Sequence, residues 1–309
     1  MKVLLANPRG FCAGVERAIE IVERAIDKHG APIYVRHEVV HNQFVVNNLK
    51  QKGAVFVDEI NQVPEGGIIV FSAHGVSQKV RKYANSITST IYDATCPLVT
   101  KVHKEVTRRQ KQNHQVILIG HAGHPEVEGT LGQSNDIKNI TLVESISDVE
   151  TLDFPTGTDI SYTTQTTLSV DDTKEIVESL QSKFPRIKSP KKSDICYATQ
   201  NRQDSVKAIM NNADMLIVLG SKNSSNSNRL REIAEKNKKP AYLIDGVNDL
   251  NPAWLNGINS IGITAGASAP EILVQEVVSY LLDNGADEVV EVGGANESVH
   301  FPVPNTLRV

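Results

Sequence analysis

The sequence predicts an α/β fold of three small pseudo-symmetric domains, each built on a parallel sheet. Three observations carry this reading. Short apolar runs alternate with amphipathic helical patterns along the whole chain, as in parallel strands covered on both faces. The three cysteines, Cys12, Cys96 and Cys196, each sit in a turn between an apolar or β-prone run and a helical pattern. A spacing recurs: 28 residues separate Cys96 from His124 and Cys196 from Ser224, and 29 separate Cys12 from His41. A further polar loop follows in each third, at His74, Thr166 and Ser268.

In order, residues 3–6 read as a buried strand and 13–28 as a helix with Val15, Ala18, Ile19, Val22 and Ala25 on one face. Gly30 and Pro32 end it, and 32–35 form a strand that runs into Arg36-His37-Glu38-Val39-Val40-His41-Asn42 and a helix to Lys52. Residues 54–57 and 68–71 are strands, the second emptying into Ser72-Ala73-His74-Gly75-Val76-Ser77. A β-prone run ends at Thr95, and Pro97 opens a helix over 98–112; proline there lacks only an N–H that would be unpaired anyway. Cys96 at this mouth lies where helix N–H groups favour a thiolate.

Strand 116–119 ends in Gly120-His121-Ala122-Gly123-His124-Pro125-Glu126-Val127-Glu128-Gly129-Thr130. A short strand at 141–143 and an acidic helix start precede strand 160–163, the loop Thr164-Gln165-Thr166-Thr167-Leu168-Ser169 and helix 170–183. With two prolines and four basic residues, 184–192 reads as an exposed linker. After Cys196 a helix to about 212 leads to strand 215–219 and the polar run Ser224-Ser225-Asn226-Ser227-Asn228. Strands 241–244 and 260–263 complete the core, and Pro270 opens a last helix to about Leu282. Residues 288–292 and 300–303 read as edge strands returning to an earlier sheet. The expected domains are 1–96, joined by the tail 283–309, then 97–192 and 193–282.

Composition narrows the function. The net charge of −4 and 5% aromatic content give no sign of a nucleic-acid partner, and no apolar run approaches a membrane span. The apolar part of 1–8 is too short for a signal peptide, and three cysteines cannot all pair within one chain, so a cytoplasmic protein is expected.

A buried free cysteine usually behaves as a small hydrophobe. Here each lies in a Gly, Pro or polar turn, which favours a ligand role. Zinc fits the donor types, although the short Cys-x₂₋₄-Cys pairing of structural zinc sites is absent. Three thiolates suit an iron–sulfur cluster equally well, and on a four-iron cube they leave one iron open as a Lewis acid. His41, His74, His121 and His124 at strand ends suit an anion, and Ser224–Asn228 with Ser268 suits phosphate. No nucleotide-binding glycine fingerprint occurs. Glu126 and Glu128 share the His124 loop, and either could deliver a proton.

Ala6-Asn7-Pro8-Arg9-Gly10-Phe11-Cys12-Ala13-Gly14-Val15, Val35-Arg36-His37-Glu38-Val39-Val40-His41-Asn42 and Phe71-Ser72-Ala73-His74-Gly75-Val76 resemble the 4-hydroxy-3-methylbut-2-enyl diphosphate reductase family. So do 93–101, 120–129, 164–172, 194–202, 220–229 and 264–270. The resemblance implies three pseudo-symmetric domains around a central [4Fe-4S] cluster, which can lose iron to [3Fe-4S] on oxidation. It implies the last step of non-mevalonate isoprenoid precursor synthesis, reductive removal of an allylic hydroxyl to give isopentenyl and dimethylallyl diphosphates. By the same resemblance Cys12, Cys96 and Cys196 are cluster ligands. His41, His74, His124, Ser224, Ser225, Asn226 and Ser268 hold the substrate, Thr166 stands near its hydroxyl, and Glu126 is the proton donor. Electrons are expected from a separate ferredoxin or flavodoxin. A zinc-dependent phosphoester hydrolase and an iron–sulfur redox sensor are the alternatives.

Overall fold

The computed structural model describes residues 1–134 and 139–308. Its strands are β1 (Lys2–Ala6), β2 (Ile33–Arg36), β3 (Ala54–Val57), β4 (Ile69–Phe71), β5 (Ile91–Asp93), β6 (Gln115–Ile119), β7 (Ile140–Val143), β8 (Ile160–Thr164), β9 (Met215–Leu219), β10 (Ala241–Ile244), β11 (Ser260–Ala265) and β12 (Glu288–Val292). The helices are α1 (Ala13–His29), α2 (Gln43–Lys52), α3 (Gln78–Ile87), α4 (Pro97–Lys111), α5 (Pro125–Leu131), α6 (Ile146–Thr151), α7 (Val170–Lys183), α8 (Tyr197–Met210), α9 (Ser225–Lys236) and α10 (Glu271–Asp283). The expected α/β fold with three parallel sheets is what the chain forms. Among the described residues no helix is long and apolar enough to cross a membrane.

The chain divides into two units. The first holds residues 1–16, 40–51 and 197–300, and its sheet has the order β10-β9-β11-β1-β12. Side chains alternate along a strand, so each strand serves both faces. Val3, Leu5, Ile217 and Ile263 pack with Val274, Val277 and Leu281 of α10. Leu4, Ala6, Leu216 and Val218 pack on the other face with Val206 and Ile209 of α8 and Leu230 of α9. Strand 3–6 pairs with β11 and β12, Lys2 facing Ser260 and Glu288, so residues 288–292 do return to an earlier strand. Its near-continuous apolar sequence demands cover on both faces, which this central position supplies.

The second unit holds residues 17–39, 52–196 and those from Phe301 on, with sheets β3-β2-β4-β5 and β7-β6-β8. Ile117 and Ile119 of β6 pack with Ile176 and Leu180 of α7, while Val116 and Leu118 pack with Val106 of α4 and Val127 of α5. Helix α3 has no counterpart in the sequence reading, although Val80, Ala84 and Ile87 stand at helical spacing and pack on the core around Phe71. The stretch 184–192 is less free than a linker, since Lys188 forms a parallel bridge to Ser161 of β8.

Residues 300–303 form no strand. Pro302 and Pro304 lack the N–H a ladder needs, and side chains of α1 take up the carbonyls of this segment instead. Arg17 Nε donates to Pro302 O at 3.0 Å, Arg24 to Leu307 O at 2.9 Å and Lys28 to Thr306 O at 2.7 Å, while Val303 and Leu307 are buried.

In the first unit, fully buried Ser227 at the start of α9 lies against two glycines. A Cβ at Gly220 or Gly266 would stand 2.2 or 2.0 Å from its Oγ, so both strand-end loops approach the helix by having no side chain. Gly266→Ala should therefore destabilise the fold by about 1–3 kcal/mol, the usual cost of overpacking. Adding Ser227→Ala should recover part of that loss in thermal unfolding. Strict additivity of the two substitutions would show that the contact is not the cause.

Candidate active site

In the second unit the polar loops meet through backbone bonds. Cys96 is the N-cap of α4 with Pro97 following, and its N–H donates to Ala73 O at 3.0 Å, joining it to the His74 loop. A Cβ at Gly129 of α5 would lie 3.3 Å from the Gly75 backbone, and Gln133 Nε2 donates to Val76 O at 2.9 Å. The close helix–loop approach brings the rings of His74 and His124 to 5.7 Å between centroids, edge to face. His124 caps α5, its Nδ1 accepting from Glu126 N–H at 3.1 Å. His121, one turn earlier, lies instead with Nδ1 3.6 Å from Glu144.

The two glutamates of this loop part company. Glu128 is exposed, whereas Glu126 is 2% exposed. Thr166 donates to Glu126 twice, from its N–H at 2.7 Å and from Oγ1 at 2.9 Å. Burial pushes the Glu126 carboxyl up to about 7, the charge of Asp194 adds to this, and the Thr166 bonds offset part of it. The Cys196 N–H donates to Thr166 O at 3.1 Å, so the second thiol stands on the loop that holds the carboxyl.

Asp194, which sequence reasoning passed over, is buried two residues before Cys196. Thr163 Oγ1 donates to it at 2.6 Å, and Lys101 Nζ lies 3.0 Å from its other oxygen. Its one signal in the sequence is its place two residues before the cysteine, which carries no chemistry by itself.

In the first unit Cys12 N–H donates to Ala267 O at 3.3 Å, and Ser268 Oγ donates to His41 O at 2.8 Å. Asn223 Nδ2 lies 3.3 Å from His41 Nδ1, and the N–H of Gln43 donates to Ser221 Oγ at 3.0 Å. Ser224 caps α9 by accepting from Ser227 N–H at 3.3 Å, and Ser225 opens the helix half-buried. Asn226 is 4% exposed, and neither end of its amide has a hydrogen-bond partner. Leaving such a group unpaired costs about 1–3 kcal/mol, so this amide is able to take up a ligand's hydrogen bonds.

Sequence reasoning also missed Arg202. It is 0% exposed and donates to Gly10 O at 2.7 Å, Phe11 O at 3.0 Å, Ala198 O at 3.0 Å and Glu297 at 3.0 Å, fixing the loop before Cys12. Arginine is rarely fully buried, and only the folded chain reveals this one. Burial raises the Cys12 pKa, although Arg202 and the N–H groups of Val15 and Gly14 oppose it, so the helix start does not by itself yield a thiolate.

None of the three cysteines is in a disulfide; all are half-buried, and each directly precedes a helix. Among the described residues no three His, Cys, Asp or Glu side chains group closely enough to hold one metal ion. As a donor set, three separate soft thiols fit an iron–sulfur cluster, in which each thiolate binds a different iron.

The sequence matches the family described as LytB protein over residues 3–282. The chain belongs to the LytB family. Its relatives include the 4-hydroxy-3-methylbut-2-enyl diphosphate reductases of Ruthia magnifica, 68% identical with both chains fully covered, and of Pseudomonas aeruginosa, 58% identical over 100% of this chain and 99% of that protein. Among solved LytB-type structures, the E-1-hydroxy-2-methyl-but-2-enyl-4-diphosphate reductase of Plasmodium falciparum superposes with a TM-score of 0.96 at 40% identity, covering 99% of this chain and 96% of that one. A second reductase, titled the terminal enzyme of the non-mevalonate pathway, gives 0.65 at 31% identity, covering 91% and 99%.

The raised carboxyl in this LytB chain has a thermodynamic consequence. Between pH 4.5 and about 7 the folded chain holds the Glu126 proton and the unfolded chain does not, so its contribution to stability falls as pH rises and is level above. Thermal midpoints of Glu126→Gln should therefore gain on wild type across that window. Curves that stay parallel from pH 4.5 to 7 would show an ordinary carboxyl.

Proposed function

We propose that the chain is a 4-hydroxy-3-methylbut-2-enyl diphosphate reductase that converts its substrate to isopentenyl and dimethylallyl diphosphates. The observation that carries this reading is the buried Glu126–Thr166 pair, a carboxyl poised near neutral pH on the loops that also bear a thiol and the His74–His124 pair. The names of the LytB relatives supply the substrate class.

Cys12, Cys96 and Cys196 are assigned as ligands of a [4Fe-4S] cluster, which supplies electrons and, at the iron without a protein ligand, Lewis-acid polarisation of an oxygen. The chain's own residues do the rest. Asn226, Ser224, Ser225 and Ser268, with His41, His74 and His124, are assigned to hold the substrate, the hydroxyl and amide groups facing its diphosphate. The binding energy of that charged end then orients the allylic carbon. Thr166 orients the carboxyl of Glu126, and Glu126 gives its proton to the departing hydroxyl, which leaves as water. The net reaction consumes two electrons and two protons per C–O bond replaced by C–H. The electrons come from a separate carrier of ferredoxin or flavodoxin type. The domain division offered for this chain is three parts, 1–96 joined by the tail 283–309, 97–192 and 193–282.

Replacing any one of the three cysteines by serine should cost most of the iron and acid-labile sulfide of anaerobically purified protein, because an alcohol is a poor substitute for thiolate at iron. A variant with full iron, sulfide and turnover would remove that cysteine from the ligand set. A colourless wild-type protein containing zinc would remove the cluster altogether.

Glu126→Gln should keep its cluster and lose on the order of 10²–10⁴ in kcat, the usual contribution of a positioned acid. Glu128→Gln should stay near wild type, and Asn226→Ala should show its loss mainly as a raised KM. Wild-type turnover by Glu126→Gln would take this carboxyl out of the proton path.

A further inference from the structure

One face of the second unit carries charge of the sign opposite to the chain as a whole. The net charge is −4. Yet Lys101, Lys104, Arg108 and Lys111 follow one another along α4 at the three- and four-residue spacing that puts side chains on one helix face. Arg17 of α1 and Arg81 of α3 join them around two open cavities of 590 and 540 Å³. The carboxylates in these walls are Asp93 and Glu105, against six cations. Both cavities include Thr95 in their lining and one includes Pro97, the two neighbours of Cys96.

Most of these cations also have structural work. Arg108 holds Glu105 at 2.6 Å, Arg81 holds Asp93 at 2.5 Å, and Lys101 lies 3.0 Å from Asp194. Arg17 donates to the carbonyls of Thr95 at 3.2 Å and Asp93 at 3.4 Å. Lys104 and Lys111 are different: both are exposed, and among the described residues neither has an acidic partner. A patch whose carboxylates are already neutralised, with two lysines left over, presents a positive field beside a thiol-bearing loop.

We propose that this cationic face of α4 docks the electron carrier, a small redox protein with an acidic surface, beside Cys96. The inference rests on the reductase reading above. Each turnover breaks one C–O bond, forms one C–H bond and releases water, taking up two protons and two electrons. A one-electron carrier must therefore arrive and leave twice, each time oxidised by one electron. Such traffic favours rapid, charge-steered encounter over tight packing, and opposite fields raise on-rates about 10–10³-fold. Apart from His103 the two cavities are lined without aromatic residues, which gives bases nothing to stack on and favours a protein partner over a nucleic acid.

The test compares two reductants on the cluster-loaded enzyme: a reduced plant- or bacterial-type ferredoxin, which is acidic, and reduced methyl viologen, which needs no docking face. The double variant Lys104→Glu, Lys111→Glu is set against the control Lys174→Glu, Lys236→Glu on other helices. The expected result is a loss of about tenfold or more in kcat/KM for ferredoxin, with a flattened dependence on salt, and unchanged viologen-driven turnover. Ferredoxin kinetics equal to wild type would overturn the proposal, as would an equal loss with both reductants. So would an RNA duplex binding this face while ferredoxin kinetics stay unaltered. Absence of viologen-driven turnover in wild type would instead sink the reductase reading on which it rests.

Discussion

Every strand pair in the three sheets is parallel, and that constraint organises the chemistry. In a parallel sheet all carboxyl-terminal loops leave by one edge, and a chain that must return through a helix places a helix start there each time. The consequence repeats in all three sheets. Cys12 N–H donates to Ala267 O, Cys96 N–H to Ala73 O and Cys196 N–H to Thr166 O. Each cysteine thus hangs from the polar loop at the carboxyl end of a strand (β11, β4 and β8 in turn), immediately before a helix.

Within this frame, burial decides which acidic groups can work. Asp194 and Glu126 are both buried carboxyls near the Cys196 loop, but they face different partners. Lys101 and Thr163 compensate Asp194. Glu126 receives only the neutral Thr166 and feels the charge of Asp194, so its proton is held more tightly. Asp194 is tied to a cation and a hydroxyl, while Glu126 becomes a group that can give up a proton near neutral pH.

Much of this was legible in the sequence, and the reasons are local. Apolar runs with turn residues at both ends mark β6, β9 and α7, because burial on two faces or one stripe leaves a periodic trace. Proline at position 97 announces α4. What stayed hidden depends on partners far along the chain. The cover for β1 comes from residues 260–265 and 288–292, and no pattern within 3–6 names them. Arg202 looks like any basic residue on a helix until Gly10, Phe11 and Glu297 surround it. Glu126 and Glu128 are indistinguishable by composition, and only the turn of α5 decides which one faces Thr166.

The position of β1 bears on how the protein is made. This strand precedes the other members of its sheet along the sequence and lies between β11 and β12. Its backbone donors and acceptors on both sides therefore have no ladder partners until residues 260–292 have left the ribosome. The two sheets of the second unit draw on residues 33–93 and 115–164, and each can close while synthesis continues. The five-stranded sheet cannot. During that interval an apolar strand waits with both edges open, the feature that makes a nascent chain dependent on holding chaperones and prone to misassembly.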